Sequence, residues 1–310
     1  MGSDSKDGDF IEKIFIASTH DYLMVFTDNG RCYWLKVYQI PSLTRQSKGR
    51  NIVNLLELGD CKVMSIINVR DFDSGSLVFA TRKGIVKKTL LSAYGNIRSN
   101  GVNAIKLDED DDLISVLKTN GADELVLATR NGMSIRFNEN DVRNMGRVSR
   151  GVKGIKLKGD DMVVGMVVLE EGCSLLTVCE KGFGKRTNTD EYRIQSRGGS
   201  GIINIKTTDR NGKVVAVIPV SEAHEIMMIT RNGIIIRTGI DELREIGRNT
   251  AGVRMIKVGE DDTVVSAARI IKDDSDDVEE VQSDMPQESV IDNVETNNEI
   301  ESDIAEQTQE

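Results

Sequence analysis

Three prolines, one tryptophan, two histidines and no C-x-x-C pair among four cysteines mark what this 310-residue chain does without. Cys32, Cys61, Cys173 and Cys179 have only His20 and His224 to help them, so no metal site is expected, and a reducing cytoplasm fits best. No apolar run approaches the roughly 18–20 residues of a membrane span; Met162–Leu169 is among the longest. The first residues, MGSDSKDGD, are acidic and polar rather than a secretory signal, and Lys6 stands where myristoylation wants Ser or Thr. A lone Trp34 excludes a WD-repeat array. Aromatics at 4% leave little to stack on bases, which disfavours single-strand binding.

Charge is present in quantity but unevenly placed. The formal net charge is -10, which taken whole argues against a nucleic-acid partner. Asp273–Glu310, however, holds fifteen acids and no Lys or Arg. All 40 basic residues and 35 of the 50 acids fall in 1–272, a net of +5. The chain therefore divides into a polar N-terminus (1–9), a basic body (10–272) and an acidic tail of disordered composition (273–310).

The body repeats itself. LMVFTDNG (23–30), LVFATRKG (77–84), LVLATRNG (125–132), LLTVCEKG (175–182) and IMMITRNG (226–233) each give an apolar strand and a turn. Their glycines, Gly30, Gly84, Gly132, Gly182 and Gly233, are spaced by 54, 48, 50 and 51. A second set, Gly49, Gly101, Gly151, Gly201 and Gly252, is spaced by 52, 50, 50 and 51. A period near fifty points to a propeller-like or solenoid array. Four strands are expected per repeat: an apolar strand, a tight glycine turn, and an alternating strand such as Met133–Phe137 with one wet face. A third strand follows the second glycine (GVNAIKL, 101–107; GVKGIKL, 151–157). Acidic turns then lead to a fourth (LISVLKT, VVGMVVL, VVSAARI). Ile11–Ser18 aligns with the fourth strand alone. The expected fold is all-β, β-pinwheel or propeller-like, with about five complete blades plus an orphan strand.

Cations recur with the repeat. Four residues after the first glycine stand Trp34, Lys88, Arg136, Arg186 and Arg237. Four before the second stand Arg45, Arg147, Arg197 and Arg248, with Arg98 three before in the second repeat. Lys106, Lys156, Lys206 and Lys257 lie five after it, and Lys48, Arg50 and Arg150 flank it. Arranged about an axis, each set becomes a ring of positive charge offering a curved track for phosphates. No recognition helix is expected, so binding would read backbone and deformability rather than bases. Solvated strand faces also favour Lys and Arg, and a protein-interaction scaffold would carry the same charges.

Catalytic signatures are missing. Ser18-Thr19-His20-Asp21 lacks a nucleophile arrangement and reads as a polar turn, and His224 sits in a similar connection. Gly182–Thr187 misses the phosphate-loop spacing, and Asp108–Asp112 misses that of an EF-hand. No catalytic activity and no cofactor are expected of this chain alone.

STHDYLMVFTDNGRCYWLKVYQIP (18–41), KGRNIVNLL (48–56) and the serial TRNG and IKL motifs resemble the C-terminal domain of DNA gyrase A, a type IIA topoisomerase component, over nearly all of 10–272. The resemblance implies a β-pinwheel whose blades exchange strands and whose basic rim bends or wraps duplex DNA. In the full-length protein it implies gyrase B and a second copy of gyrase A as partners, supporting ATP-driven negative supercoiling in the cytoplasm, at the nucleoid. An acidic tail is common in that family. Its signature box, Q-R-R-G-G-K-G, belongs to a blade ahead of the first repeat here. Gln195-Ser196-Arg197-Gly198-Gly199-Ser200-Gly201 matches five of its seven positions, but in the fourth repeat, and reads as that repeat's ordinary loop. The equivalent domain of topoisomerase IV and a free-standing architectural DNA-binding protein remain alternatives. The tail is expected to compete with phosphate for the rim.

Overall fold

The computed structural model describes residues 17–43, 51–96, 98, 100–259 and 261–272. The chain divides into two compact units, Met1–Lys272 and Asp273–Glu310, and every described residue belongs to the first. Arg45, Lys48, Arg50, most of the Ile11–Ser18 segment and the acidic tail lie outside the described residues.

Each apolar stretch found in the sequence is a strand. The first repeat gives β1 (Tyr22–Thr27), β2 (Arg31–Lys36) and β3 (Val63–Val69). The second gives β4 (Ser76–Thr81), β5 (Ile85–Leu90), β6 (Val102–Asn103) and β7 (Leu113–Thr119). The third gives β8 (Glu124–Thr129), β9 (Met133–Asn138), β10 (Val152–Lys153) and β11 (Val163–Val168). The fourth gives β12 (Ser174–Cys179), β13 (Phe183–Asn188), β14 (Ile202–Ile203) and β15 (Val214–Val220). The fifth gives β16 (His224–Thr230), β17 (Ile235–Gly239), β18 (Val253–Arg254) and β19 (Val264–Ile271). Helix among the described residues is confined to single 3-10 turns.

These strands form five small antiparallel sheets in a ring, a propeller or pinwheel arrangement. The orders are β3-β1-β2-β6, β7-β4-β5-β10, β11-β8-β9-β14, β15-β12-β13-β18 and β19-β16-β17. Neighbouring sheets pack through β3, β7, β11, β15 and β19, which form the inner side. The outer strand of a sheet always comes from the next repeat. Strand exchange is therefore built into the connectivity, and the fifth sheet has three strands among the described residues.

The third strand differs from expectation. Only two residues of it pair, for example Val152 with Val86 and Lys153 with Ile85. The rest leaves the ladder because its backbone has another partner, the carbonyl of the preceding repeat's turn glycine. Gly30 O accepts from Ala104 N (2.8 Å) and Ile105 N (3.2 Å); Gly84 O accepts from Gly154 N (2.8 Å) and Ile155 N (3.3 Å). Gly132 O accepts from Asn204 N (2.8 Å) and Ile205 N (3.1 Å), and Gly182 O from Met255 N (2.9 Å) and Ile256 N (3.1 Å). Each arriving isoleucine is buried over the turn. Only glycine fits there: φ is +78, +79, +84 and +75, and a Cβ on Gly30 would lie 2.9 Å from Ile105 Cγ2.

The wet face expected of the second strand is also largely covered. In β9 Ser134, Ile135 and Phe137 are all inaccessible. The three middle sheets have a blade on both faces, so there alternation divides residues between two neighbours rather than between core and water. Leu125 and Leu127 of β8 pack with Val78 and Val86, whereas Val126 and Ala128 pack with Leu175 and Phe183.

One ion pair crosses a blade boundary in the interior. Glu139 is fully buried and accepts from Lys88 Nζ (3.0 Å), Thr119 Oγ1 (2.8 Å), Gly121 N (2.7 Å) and Asp123 N (2.9 Å). Burial alone would raise its pKa, but the Asp123 amide, Lys88, Thr119 and the Gly121 amide together hold it below the usual carboxylate value.

Two stability outcomes follow, measured by urea unfolding. Gly132→Ala puts a Cβ against Ile205 O at positive φ and is expected to cost about 3 kcal/mol. Gly233→Ala, at φ +82 but with nothing within 4 Å, should cost only about 1 kcal/mol. Equal costs would mean that the latch contributes nothing. Glu139→Ala strands Lys88 and should cost about 3–5 kcal/mol. Because the folded pKa of Glu139 is lowered, its contribution is complete at neutral pH and is lost as pH falls through that folded value.

Candidate nucleic-acid interface

After its second strand, each of the middle repeats makes a 3-10 turn (Leu91–Tyr94, Glu139–Asp141, Thr189–Glu191) and then a loop to the second glycine. In three repeats the loop hooks onto the sheet before it: Met145 N donates to Lys88 O, Gln195 N to Arg136 O and Ile246 N to Arg186 O, each at 2.8 Å. The loop then enters the outer strand of that same sheet. These loops therefore line the edge opposite the inner strands. Lys106 N donates to Ser149 O (3.2 Å), Lys156 N to Gly199 O (2.8 Å) and Lys206 N to Thr250 O (2.8 Å), so each loop touches the connection that follows the neighbouring outer strand. The result is a continuous outer rim.

The three cation sets have different fates. The set four residues after the turn glycine is turned inward in four of its five members. Trp34 is core, Lys88 is paired with buried Glu139, and Arg136 donates to Glu124 (Nε, 2.7 Å), Thr189 O (2.8 Å) and Tyr192 O (3.0 Å). The Arg186 side chain is 12% exposed and 3.7 Å from Glu222; Arg237, paired with Glu225, is half-exposed. At Lys88, Arg136 and Arg186 the expected ring is thus an internal set of fasteners between repeats, because the middle sheets are covered on both faces, whereas Arg237 on the fifth sheet stays accessible and pairs within its own sheet.

The set before the second glycine is on the rim. Arg98 is exposed; Arg147, Arg197 and Arg248 are half-buried. Arg197 donates to Asp141 O (2.8 Å) and Lys153 O (3.2 Å), and Arg248 to Glu191 O (3.0 Å) and Ile203 O (2.5 Å). Arg150 is exposed and ion-paired with Asp108. In the box-like loop Gln195 is hooked to Arg136 as above, Ser196 and Ser200 are exposed, and the Gly198 amide is already used by Gly154 O (2.5 Å). Gly199 gives its carbonyl to Lys156, and Gly201 sits against Ser134 O. The loop is a fastened segment of the rim rather than an open amide nest.

The most available cations are the third set and one that sequence reasoning missed. Lys106, Lys156, Lys206 and Lys257 are all exposed. So are Arg143, Arg193 and Arg244, four residues before Arg147, Arg197 and Arg248 and spaced by 50 and 51. None of these seven has an ion pair or side-chain hydrogen bond among the described residues. The R-x-x-x-R spacing carries the signal for these arginines, and it emerges when the loops are aligned end to end rather than only from their glycines.

The acidic turns have a structural explanation. Asp111 Oδ1 accepts from Lys83 N (2.9 Å) and Asp112 N (3.0 Å); Asp161 Oδ1 from Asn131 N (2.8 Å) and Met162 N (2.9 Å). Asp262 does the same for Asn232 N (3.1 Å) and Thr263 N (2.8 Å). These carboxylates cap the glycine turns, away from the rim loops. Asp21 likewise closes its turn on Ser18 N (2.9 Å), and His224 Nδ1 accepts from Ser221 N (2.9 Å). Both histidine clusters are polar turns. Lys185, in the stretch with a passing likeness to a phosphate loop, is buried.

Comparison with known proteins agrees with this geometry. The family described as DNA gyrase C-terminal domain, beta-propeller, matches residues 21–57, 75–120, 123–170, 174–221 and 224–271, one segment per repeat. The DNA gyrase A protein of Streptococcus pyogenes serotype M1 is 51% identical over 287 residues, 92% of this chain and 34% of that protein. Its Clostridium acetobutylicum counterpart is 46% identical over 278 residues, 89% of this chain and 34% of that protein. The chain spans about a third of the length of these relatives. Among solved structures, a topoisomerase IV C-terminal domain superposes with TM-score 0.80 at 26% identity, covering 87% of this chain and 85% of the other. A gyrase A C-terminal domain gives 0.71 at 27% identity, covering 87% and 92%. With each repeat matched in turn and half the residues shared with a curated relative, this chain belongs to the DNA gyrase A C-terminal domain family.

Proposed function

We propose that the chain binds duplex DNA along its outer rim and bends or wraps it, supporting negative supercoiling when joined to a cleavage core and an ATPase partner. The observation that carries this reading is the set of seven unpaired cations, Arg143, Arg193, Arg244, Lys106, Lys156, Lys206 and Lys257, repeated at one-blade spacing. Arg98, Arg147, Arg150, Arg197 and Arg248 flank them as half-engaged contacts, and the full-length protein's partners would be gyrase B and a second copy of gyrase A. Bending a short duplex costs about 1–6 kcal/mol by elastic estimates, so a single charged loop could not hold the bend, whereas contacts repeated blade after blade can. The rim offers cations without a groove-entering element, which suits backbone contact without base reading.

A second reading, the equivalent domain of topoisomerase IV, draws on the higher TM-score to that structure; the sequence relatives at 46–51% identity favour gyrase.

The deciding experiment is a linking-number assay. The protein is bound to nicked circular DNA, the nick is ligated, and the topoisomers are resolved, with and without residues 273–310. The proposal expects a shift of one sign, larger without the acidic tail. Binding without a shift would leave a bender that does not wrap, and no binding by either form would favour a protein-interaction scaffold.

Residue-level outcomes separate rim from fasteners. Arg143→Gln, Arg193→Gln and Arg244→Gln should each weaken binding for any sequence and reduce the salt slope by about one. Arg136→Gln should instead lower the urea midpoint and leave the slope within about half a unit of the parent. The reverse pattern would overturn the assignment.

A further inference from the structure

Two lysines sit beneath the rim without touching solvent. Lys87 in β5 and Lys185 in β13 each stand three residues after a turn glycine, and both are essentially inaccessible. Lys87 Nζ donates to Ala104 O and to Arg147 O. Lys185 Nζ donates to Gly247 O (2.7 Å) and Arg248 O (2.7 Å). In both cases an arginine-bearing loop of the next repeat is held through its own backbone, by one carbonyl (Arg147 O) on Lys87 and by two (Gly247 O and Arg248 O) on Lys185. In the sheet between them the same position is Ile135, fully buried against the 195–201 loop, 3.7 Å from where a Cβ on Gly199 would sit. Where lysine stands below, the loop reads Gly-Arg (146–147, 247–248). Where isoleucine stands below, it reads Ser-Arg (196–197).

We propose that Lys87 and Lys185 are positioning residues of the rim, fixing the 143–150 and 244–251 loops in the shape that presents their arginines to DNA phosphates. This rests on the rim being the phosphate-binding surface. Each lysine acts through backbone carbonyls and touches no ligand. A charge-assisted bond from an ammonium is roughly twice as strong as a neutral one, so the protonated state is the one that clamps.

The surroundings put that protonation near neutrality. Around Lys87 lie the Arg147 guanidinium, the Phe79 ring (5.0 Å) and Tyr94, whose hydroxyl donates to the same Ala104 carbonyl (3.2 Å) and which itself faces the Cys32 thiol. Burial, helped by Arg147, pulls Lys87 down to about 7. Around Lys185 lie Glu191, Arg248 and Cys179, with Tyr192 facing the same Glu191 and Arg248. There burial pulls the lysine down to about 8, with Arg248 acting in the same sense and Glu191 and Cys179 against it. The folded chain therefore sheds these protons at a pH where the unfolded chain keeps them. Stability to urea rises with pH through this window while the clamp weakens. Opposite trends in stability and DNA affinity are a signature that a merely structural lysine would not give.

The test follows the full chain and its K87M/K185M variant from about pH 6 to about pH 9 at constant ionic strength, a range spanning both titrations. Affinity for a random-sequence duplex is read alongside amide-exchange protection factors of the loops. In the parent, affinity should fall roughly tenfold as pH rises through the window. Loops 143–150 and 244–251 should lose protection, whereas 193–200, resting on Ile135, should not. In the variant, affinity should be low already at the acid end and flat. Parent-like affinity and loop protection in a folded variant would overturn the proposal. If the variant does not fold, the parent's loop profile decides alone: equal behaviour of all three loops overturns it. Absence of duplex binding by the parent at every pH would bring down the rim reading and this inference together, whereas intact binding with unchanged loops brings down this inference only.

Discussion

The architecture hangs on one carbonyl per repeat. A glycine turn at positive φ leaves its C=O free of its own sheet, and two amides of the following repeat take it. Two net hydrogen bonds of about 1 kcal/mol each, plus burial of an isoleucine worth about 1.5–3 kcal/mol, join every pair of neighbours. The latch pulls the chain out of the outer strand after two paired residues and starts it inward, towards the acidic turn and the inner strand. Strand exchange, short outer strands and the course of the rim loops all follow from that diversion.

Charge in this protein is sorted by what lies next to it rather than by residue type. Lys88 and Arg136 stand one residue beyond Lys87 and Ile135 on the same strands, and all four are sealed by neighbouring repeats. Lys106, Lys156 and Lys206, carried on the outer connections, are fixed by their backbone amides while their ammonium groups meet no partner among the described residues. The acids show the same division: Asp111, Asp161 and Asp262 cap turns, and Glu139 neutralises an interior lysine.

Much of this was legible in the sequence. The glycine spacing revealed the repeat, the strands and the blade count, because a fixed turn needs a fixed glycine. The brevity of the third strand was not legible, since GVKGIKL alternates like a strand, and only the neighbour's Gly84 carbonyl explains its departure. Arg136 looked like a surface charge because alternation implies one wet face, an inference that fails when sheets are covered on both sides. Arg143, Arg193 and Arg244 were as periodic as the rest, but they lie far from the glycines that set the register. Lys87 and Lys185 were hidden for a different reason: in sequence a buried lysine looks like any other.

The exchanged outer strand also decides how the body carries a mechanical load. On the proposed rim reading, a duplex resisting curvature would pull outward on a loop such as 143–150. That loop is fastened to one sheet by Met145 and β10 and continues into another through Ile155 and β11. No tug can be borne by a single blade; it is passed to its neighbour as shear along the latch. Such a body behaves as a stiff former, on which the curvature of whatever is laid around it is set by the protein and not negotiated blade by blade.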